Sequence, residues 1–141
     1  MALGLLGPLD AAVLETDYRD VVSALDGRER MLVVAELDGE VVGMAQVARS
    51  NATNARHRAE VRRVAVAASV RGRGVGRGLM ASVEDAARAN GLTLLWLTTH
   101  ADTEADRFYE AIGYTRLGVI PGYSRRPDGA LAPGVFFYRE L

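Results

Sequence analysis

The order of helical and strand-like segments predicts an α/β domain, in which helices pack on one sheet. Three observations carry this. Asp38-Gly39 joins two apolar runs, as a tight hairpin turn does. The strand-like run 61–67 leads into a glycine-rich helix start at 71–78. Residues 92–98 form a near-continuous apolar run of the sort found mid-sheet. At 141 residues the chain is expected to be a single domain, 1–141.

The elements follow in order. Leu14, Tyr18, Val21, Val22 and Leu25 recur at helical spacing and predict an amphipathic helix over 9–25. Residues 31–37 and 41–48 form the hairpin, and the polar stretch 50–58 is a loop. Residues 60–67 are the next strand. Val75, Leu79, Val83, Ala86, Ala87 and Asn90 mark a helix that Gly91 stops. After the strand 92–98, Thr103-x-x-Asp106 opens a helix with Ala105, Phe108, Tyr109 and Ile112 on one face, ended by Gly113. Strands at 114–119 and 134–140 flank the turn-rich segment 121–133.

Composition excludes several functions. The absence of cysteine removes disulfides, thiolate nucleophiles and Cys-ligated zinc, and two histidines make a protein-only metal site a poor expectation. A net charge of −1 gives no global basic field for nucleic acid or an anionic membrane. No apolar run approaches the ~20 residues of a membrane span. The start, MALGLLGPLD, lacks a basic region and is broken by Gly4, Gly7 and Pro8, so it reads as a poor signal peptide, and a cytoplasmic location is expected.

The segment Arg71-Gly72-Arg73-Gly74-Val75-Gly76-Arg77-Gly78 is the strongest functional signal. Glycine lets backbone N–H groups approach a ligand closely, the helix start adds unpaired donors and partial positive charge, and three arginines add formal charge. Together they suit a phosphate-bearing ligand. A Walker loop requires lysine, and the chain has none. The dinucleotide spelling G-x-G-x-x-G fails too, because its third glycine would fall on Arg77 or Leu79. R-x-x-G-x-G, from Arg71 to Gly76, does fit.

That spelling, between a strand and a helix and with Phe108-Tyr109 and Gly113-Tyr114 downstream, resembles the GCN5-related N-acetyltransferases (GNAT). The resemblance covers about residues 31–141. It implies an acyl-CoA N-acyltransferase fold with a mixed central sheet flanked by helices, whose usual first strand is not evident in residues 1–8. It also implies acetyl-CoA as acetyl donor, no metal, and transfer to a primary amine by direct attack in a ternary complex. By resemblance, the backbone of Val64, Ala65 and Val66 pairs with the pantetheine arm, and an N–H there faces the thioester oxygen. Arg71, Gly72, Arg73, Gly74, Val75 and Gly76 hold the pyrophosphate, with Arg77 assisting.

Tyr109 is the expected acid for the leaving thiolate, since a tyrosine of reference pKa ~10 can donate there. The alternative is a core tyrosine. Glu60 is the expected base, acting through water; the alternative is a strand-end charge paired with Arg58 or Arg62. His100, beyond the 92–98 strand, could also serve as base, whereas His57 reads as a loop or surface residue. Asp102 stands where the family often has an asparagine on the cofactor arm. The tail 118–123, the Pro127-Asp128-Gly129 turn and Arg58-Ala59-Glu60-Val61 are similar to the tabtoxin-resistance branch, although Thr98 replaces an acidic residue there.

The acceptor is thus expected to be a small amino-acid-like or antibiotic-like amine, and the arginine-bearing loop 50–58 would suit one with its own carboxylate. Three other readings compete: a protein or peptide N-acetyltransferase, a non-catalytic CoA-binding module, and a nucleic-acid binder using the arginines of 56–77. The last lacks interleaved aromatic residues. Family members often form homodimers, and a missing first strand would leave an edge for a second copy.

Overall fold

The computed structural model describes residues 28–141; the predicted helix at 9–25 and the question of a first strand in 1–8 lie outside the described residues. Six strands form one sheet in the order β1-β2-β3-β4-β6-β5. They are β1 (Arg30–Leu37), β2 (Glu40–Arg49), β3 (Arg58–Val66), β4 (Leu94–His100), β5 (Thr115–Arg125) and β6 (Leu131–Glu140). Helix α1 (Val75–Ala89) follows β3, and helix α2 (Glu104–Ala111) follows β4. All pairings are antiparallel except β3 with β4, so the sheet is mixed.

Local chemistry explains the elements. Asp38 and Gly39 both take positive φ, 53° and 82°, as the hairpin turn between β1 and β2 requires. Leu79, Met80, Val83 and Ala87 form the buried stripe of α1. The helix ends where the Asn90 side chain donates to the Ala86 carbonyl and Gly91 turns left-handed. Helix α2 opens on Thr103, whose hydroxyl oxygen accepts from the Asp106 N–H at 3.3 Å, while the Asp102 N–H donates to the Asp106 carboxylate at 3.0 Å.

Both helices contribute to one apolar cluster on one face of the sheet, which holds Ala45, Val47, Val61, Val64, Leu95, Leu97, Val135 and Phe137 with Leu79, Val83, Ala105 and Tyr109. Along β4, Leu95, Leu97 and Thr99 are buried there, and alternation turns Trp96, Thr98 and His100 to the opposite face. Two boundaries differ from the sequence expectation. His100 ends β4 instead of following it. The terminal hairpin also runs deep into the turn-rich stretch, since β5 reaches Arg125 and β6 starts at Leu131. Register shifts absorb the prolines: three residues, 121–123, lie between Ile120 and Ser124 while β6 advances only from Gly134 to Ala132.

Candidate active site

The site begins where the sheet splits. Strands β3 and β4 pair at only three positions, Arg58–Leu94, Ala59–Leu95 and Glu60–Trp96. Beyond Glu60 they part. The cause lies in β3, where Gln46 opposes Arg62 and Met44 opposes Ala65, so two residues, Arg63 and Val64, face the single Ala45. Arg63 takes a positive φ of 49°, and the bulge bends β3 away from β4. The buried positions of β3 record it: Ala59 and Val61 are two apart, Val61 and Val64 three.

The resulting gap, about 240 Å³, is lined by Glu60, Val61, Arg62, Arg63, Val64, Leu97, Thr98 and Tyr109. It joins the two faces of the sheet, since Tyr109 reaches it from the helix side and Glu60 and Thr98 from the other. Tyr109 is 2% exposed, its ring held by Phe108 (5.2 Å between centroids), Tyr114 (5.7 Å) and Phe137 (5.7 Å). Burial pushes its pKa well above the usual tyrosine value, so the hydroxyl keeps its proton as a donor at neutral pH. Glu60 is part-buried, and Arg62 Nε donates to its carboxylate at 2.6 Å.

A second cleft, about 370 Å³, continues from Val64 along Val66 to Val70, Arg71, Gly72, Gly74, Val75, Gly76 and Arg77, with Glu104 and Phe108 on its other wall. A 3-10 turn, Ala68–Val70, carries the chain from β3 into this loop. Gly72 and Gly74 have φ of 75° and 78°, values an L side chain rarely adopts. Gly74 is the N-cap of α1 and has no side chain with which to cap it. The first intrahelical bond is Gly78 N–H to the Gly74 carbonyl, leaving the N–H groups of Val75, Gly76 and Arg77 without a partner among the described residues. Three convergent donors on a helix start beside Arg71, Arg73 and Arg77 form an oxyanion cradle. Gly76 is close-packed: a Cβ there would meet the Phe108 ring at 3.4 Å. Glu104, 3.8 Å from the Arg71 guanidinium, offsets part of the positive charge.

Between gap and cradle runs the edge of β3 that faces away from β2. The Ala67 N–H donates to the Val42 carbonyl on β2. By alternation the groups of Ala65 also face β2, and those of Val64 and Val66 face the opened gap. Of the residues expected to hold an extended ligand arm, Val64 lines both the gap and the cleft, Val66 lines the cleft, and Ala65 pairs with Met44 on β2.

Residues 7–114 match the model of the acetyltransferase (GNAT) family. The chain belongs to that family. It is 33% identical over 105 residues to streptothricin acetyltransferase of Streptomyces lavendulae, covering 74% of this chain and 54% of that protein. The chain spans about half the length of the curated relatives it matches. Among solved structures, the ribosomal-protein-alanine N-acetyltransferase of Brucella melitensis superposes with a TM-score of 0.72 at 26% identity, over 92% of this chain and 75% of that one. A Salmonella typhimurium protein solved with its cofactor acetyl-CoA superposes with a TM-score of 0.74 at 21% identity, over 94% and 75%. The GNAT fold expected from the loop is therefore the fold observed.

The remaining candidates sort by position. Arg71, Gly72, Gly74, Val75, Gly76 and Arg77 line the cradle, Arg73 does not, and Glu60, Val64 and Tyr109 line the gap. His100 lies on the far face, its Nε2 3.4 Å from Ser124 Oγ, and does not line the gap. His57 is exposed. Arg56 pairs with Glu29 and bonds the Ser50 carbonyl, so this arginine of the 50–58 loop is already engaged. Sequence reasoning missed the bulge at Arg63 and the role of Glu104. The doubled polar pair Arg62-Arg63 inside an alternating strand was the available signal for the first. Among the described residues no group of three His, Cys, Asp or Glu could hold a metal, and no helix is long and apolar enough to cross a membrane.

Proposed function

We propose that the GNAT domain transfers the acetyl group of acetyl-CoA to the primary amine of a small amino-acid-like or antibiotic-like molecule, by direct attack in a ternary complex. One observation carries the reading: a cleft that begins at an uncapped helix start runs along β3 to Val64, where a gap through the sheet ends at a buried tyrosine. The cradle fits a pyrophosphate by donor count, backbone conformation and charge.

Acetyl-CoA, when bound, supplies the activated acetyl thioester. The N–H groups of Val75, Gly76 and Arg77 would hold its phosphates, and the backbone of Val64, where cleft and gap meet, would align the arm. Glu60, on the opposite face of the same gap, receives the proton of the incoming ammonium through water. Tyr109, buried at the end of the gap, donates its hydroxyl proton to the departing sulfur. Glu60 works here while paired with Arg62, which holds the carboxylate in one position.

The streptothricin relative and the resemblance to the tabtoxin-resistance branch both support a small acceptor. A peptide acceptor is the second reading, favoured by the likeness to a ribosomal-protein-alanine N-acetyltransferase. Thiol release from acetyl-CoA over a panel of amino acids, dipeptides, polyamines and aminoglycosides tests the proposal. Turnover with a small amine supports it; turnover only with peptides supports the second reading; binding without turnover on either set supports a non-catalytic CoA module. A homodimer formed through β1, one of the two outermost strands among the described residues, is the assembly we propose. A monomer mass by light scattering at high concentration contradicts it.

A further inference from the structure

On the face of the sheet opposite α1 and α2, three aromatic rings form a shelf beside the gap. Trp96 directly opposes Glu60, the last paired position before β3 and β4 part. Thr98 lines the gap, and its partner on β6 is Phe136. The Trp96 and Phe136 rings lie 6.2 Å apart at 7°. Tyr123 meets Phe136 edge-on, 5.2 Å between centroids at 80°.

The backbone is shaped to put Tyr123 there. The register shift between Ile120 and Ser124 gives β5 surplus residues, and Gly122, with φ 61°, turns the chain so that Tyr123 folds back over β6. It lands on Gly134, where a Cβ would come within 2.5 Å of Tyr123 Cδ1. Glycine weakens a strand interior, and its presence at a close approach is a packing requirement. Even so, Tyr123 stays 46% exposed. Burying that ring more deeply in the fold would be favourable, so a bulge and a glycine that hold it half in solvent provide a recognition surface.

We propose that the acceptor carries an aromatic ring: an arylalkylamine or an aromatic amino-acid derivative whose ring rests on Trp96, Phe136 and Tyr123 while its amine enters the gap at Glu60. The inference rests on the acetyl-transfer reading and narrows its substrate. Neighbouring strands lie about 4.8 Å apart, so a spacer of about two or three carbons reaches from shelf to gap. Charge argues against the polycationic alternatives, because among the described residues Glu60 is the one acidic residue lining the gap and Arg62 and Arg63 stand beside it. A polyamine or aminoglycoside would place further positive charges against those guanidinium groups.

The experiment compares thiol release with phenethylamine, phenylalaninamide, propylamine and spermidine, using the full chain and its Tyr123→Ser and Tyr123→Phe variants. The aryl amines should exceed propylamine and spermidine about tenfold in kcat/KM. Tyr123→Ser should raise the aryl-amine KM about tenfold with kcat and the acetyl-CoA KM unchanged, and Tyr123→Phe should restore it. An unchanged aryl-amine KM in Tyr123→Ser, or a preference for spermidine or propylamine, overturns the aromatic acceptor while leaving acetyl transfer intact. Failure to bind acetyl-CoA is the separate result that overturns acetyl transfer itself.

Binding gives a second readout independent of turnover, because Trp96 is the sole tryptophan. With CoA saturating, phenethylamine should change Trp96 fluorescence saturably, and Gly134→Val, which displaces Tyr123, should weaken that response. No response in the unmodified protein overturns the shelf.

Discussion

The two halves of the site are built from different materials. The half proposed for the coenzyme, Val64 to Arg77, is nearly contiguous in sequence and built from backbone: a strand leading into two left-handed glycines and an uncapped helix start. The acceptor half works through side chains drawn from separate strands, with Glu60 on β3, Trp96 and Thr98 on β4, Tyr123 on β5 and Phe136 on β6. Backbone function leaves a compact signature, because only glycine takes the required φ and the helix follows at once. Side-chain function on a sheet becomes visible only when register is known.

Substitutions can separate the halves. The largest effect is expected from Gly74→Asp, which places a side chain at φ 78° and a negative charge in the cradle. Acetyl-CoA affinity should fall more than about a hundredfold in calorimetry, on the scale of losing a charge-assisted site, while the melting temperature changes by only a few degrees. Tyr109→Phe comes next and breaks the link between halves. It should lower kcat on the order of a hundredfold and leave the acetyl-CoA KM within about twofold. Unchanged kcat removes Tyr109 from the chemistry.

Glu60→Gln acts on the acceptor half, with kcat/KM for the amine falling about tenfold or more and acetyl-CoA affinity unchanged in calorimetry. A smaller effect of opposite sign is expected at Glu104. This exposed carboxylate stands by Arg71 on the cradle wall, so Glu104→Gln should tighten acetyl-CoA by about two- to threefold at low salt, and added salt should erase the gain. Weaker binding in Glu104→Gln would mean the carboxylate orients Arg71 instead of opposing phosphate.

Stability at high pH probes the aromatic cluster between the halves. Burial raises the pKa of both Tyr109 and Tyr114 in the folded protein, and Glu84 adds to the rise at Tyr114. Above the reference value of 10.0 the unfolded chain loses these protons while the folded one keeps them, so stability is full below that pH and falls as pH rises through it. Thermal melts between about pH 8 and pH 11 should show this decline, with a shallower slope in Tyr109→Phe.

The same division explains what the sequence revealed. The hairpin turn at Asp38-Gly39, the helix starts at Gly74 and Thr103 and the stop at Gly91 were legible because each is a local backbone requirement met by a few residue types. The cradle was legible for the same reason. The β3 bulge was recorded only as a three-residue gap between Val61 and Val64, and nothing local says which strand it bends away from. The terminal hairpin was read short because Pro121 and Pro133 argue against pairing, whereas the register shifts place them where the ladder is already interrupted. The aromatic shelf depends on Thr98 meeting Phe136 and on Tyr123 lying over Gly134, contacts between residues far apart in the chain.

The most direct measurement is calorimetric titration of the protein with acetyl-CoA, repeated with Gly74→Asp. The account predicts a dissociation constant on the order of micromolar for the unmodified protein, about −8 kcal/mol, and no measurable heat for the variant. Absent binding by the unmodified protein, or equal binding by both, would contradict the assignment of the glycine-rich helix start as the phosphate site.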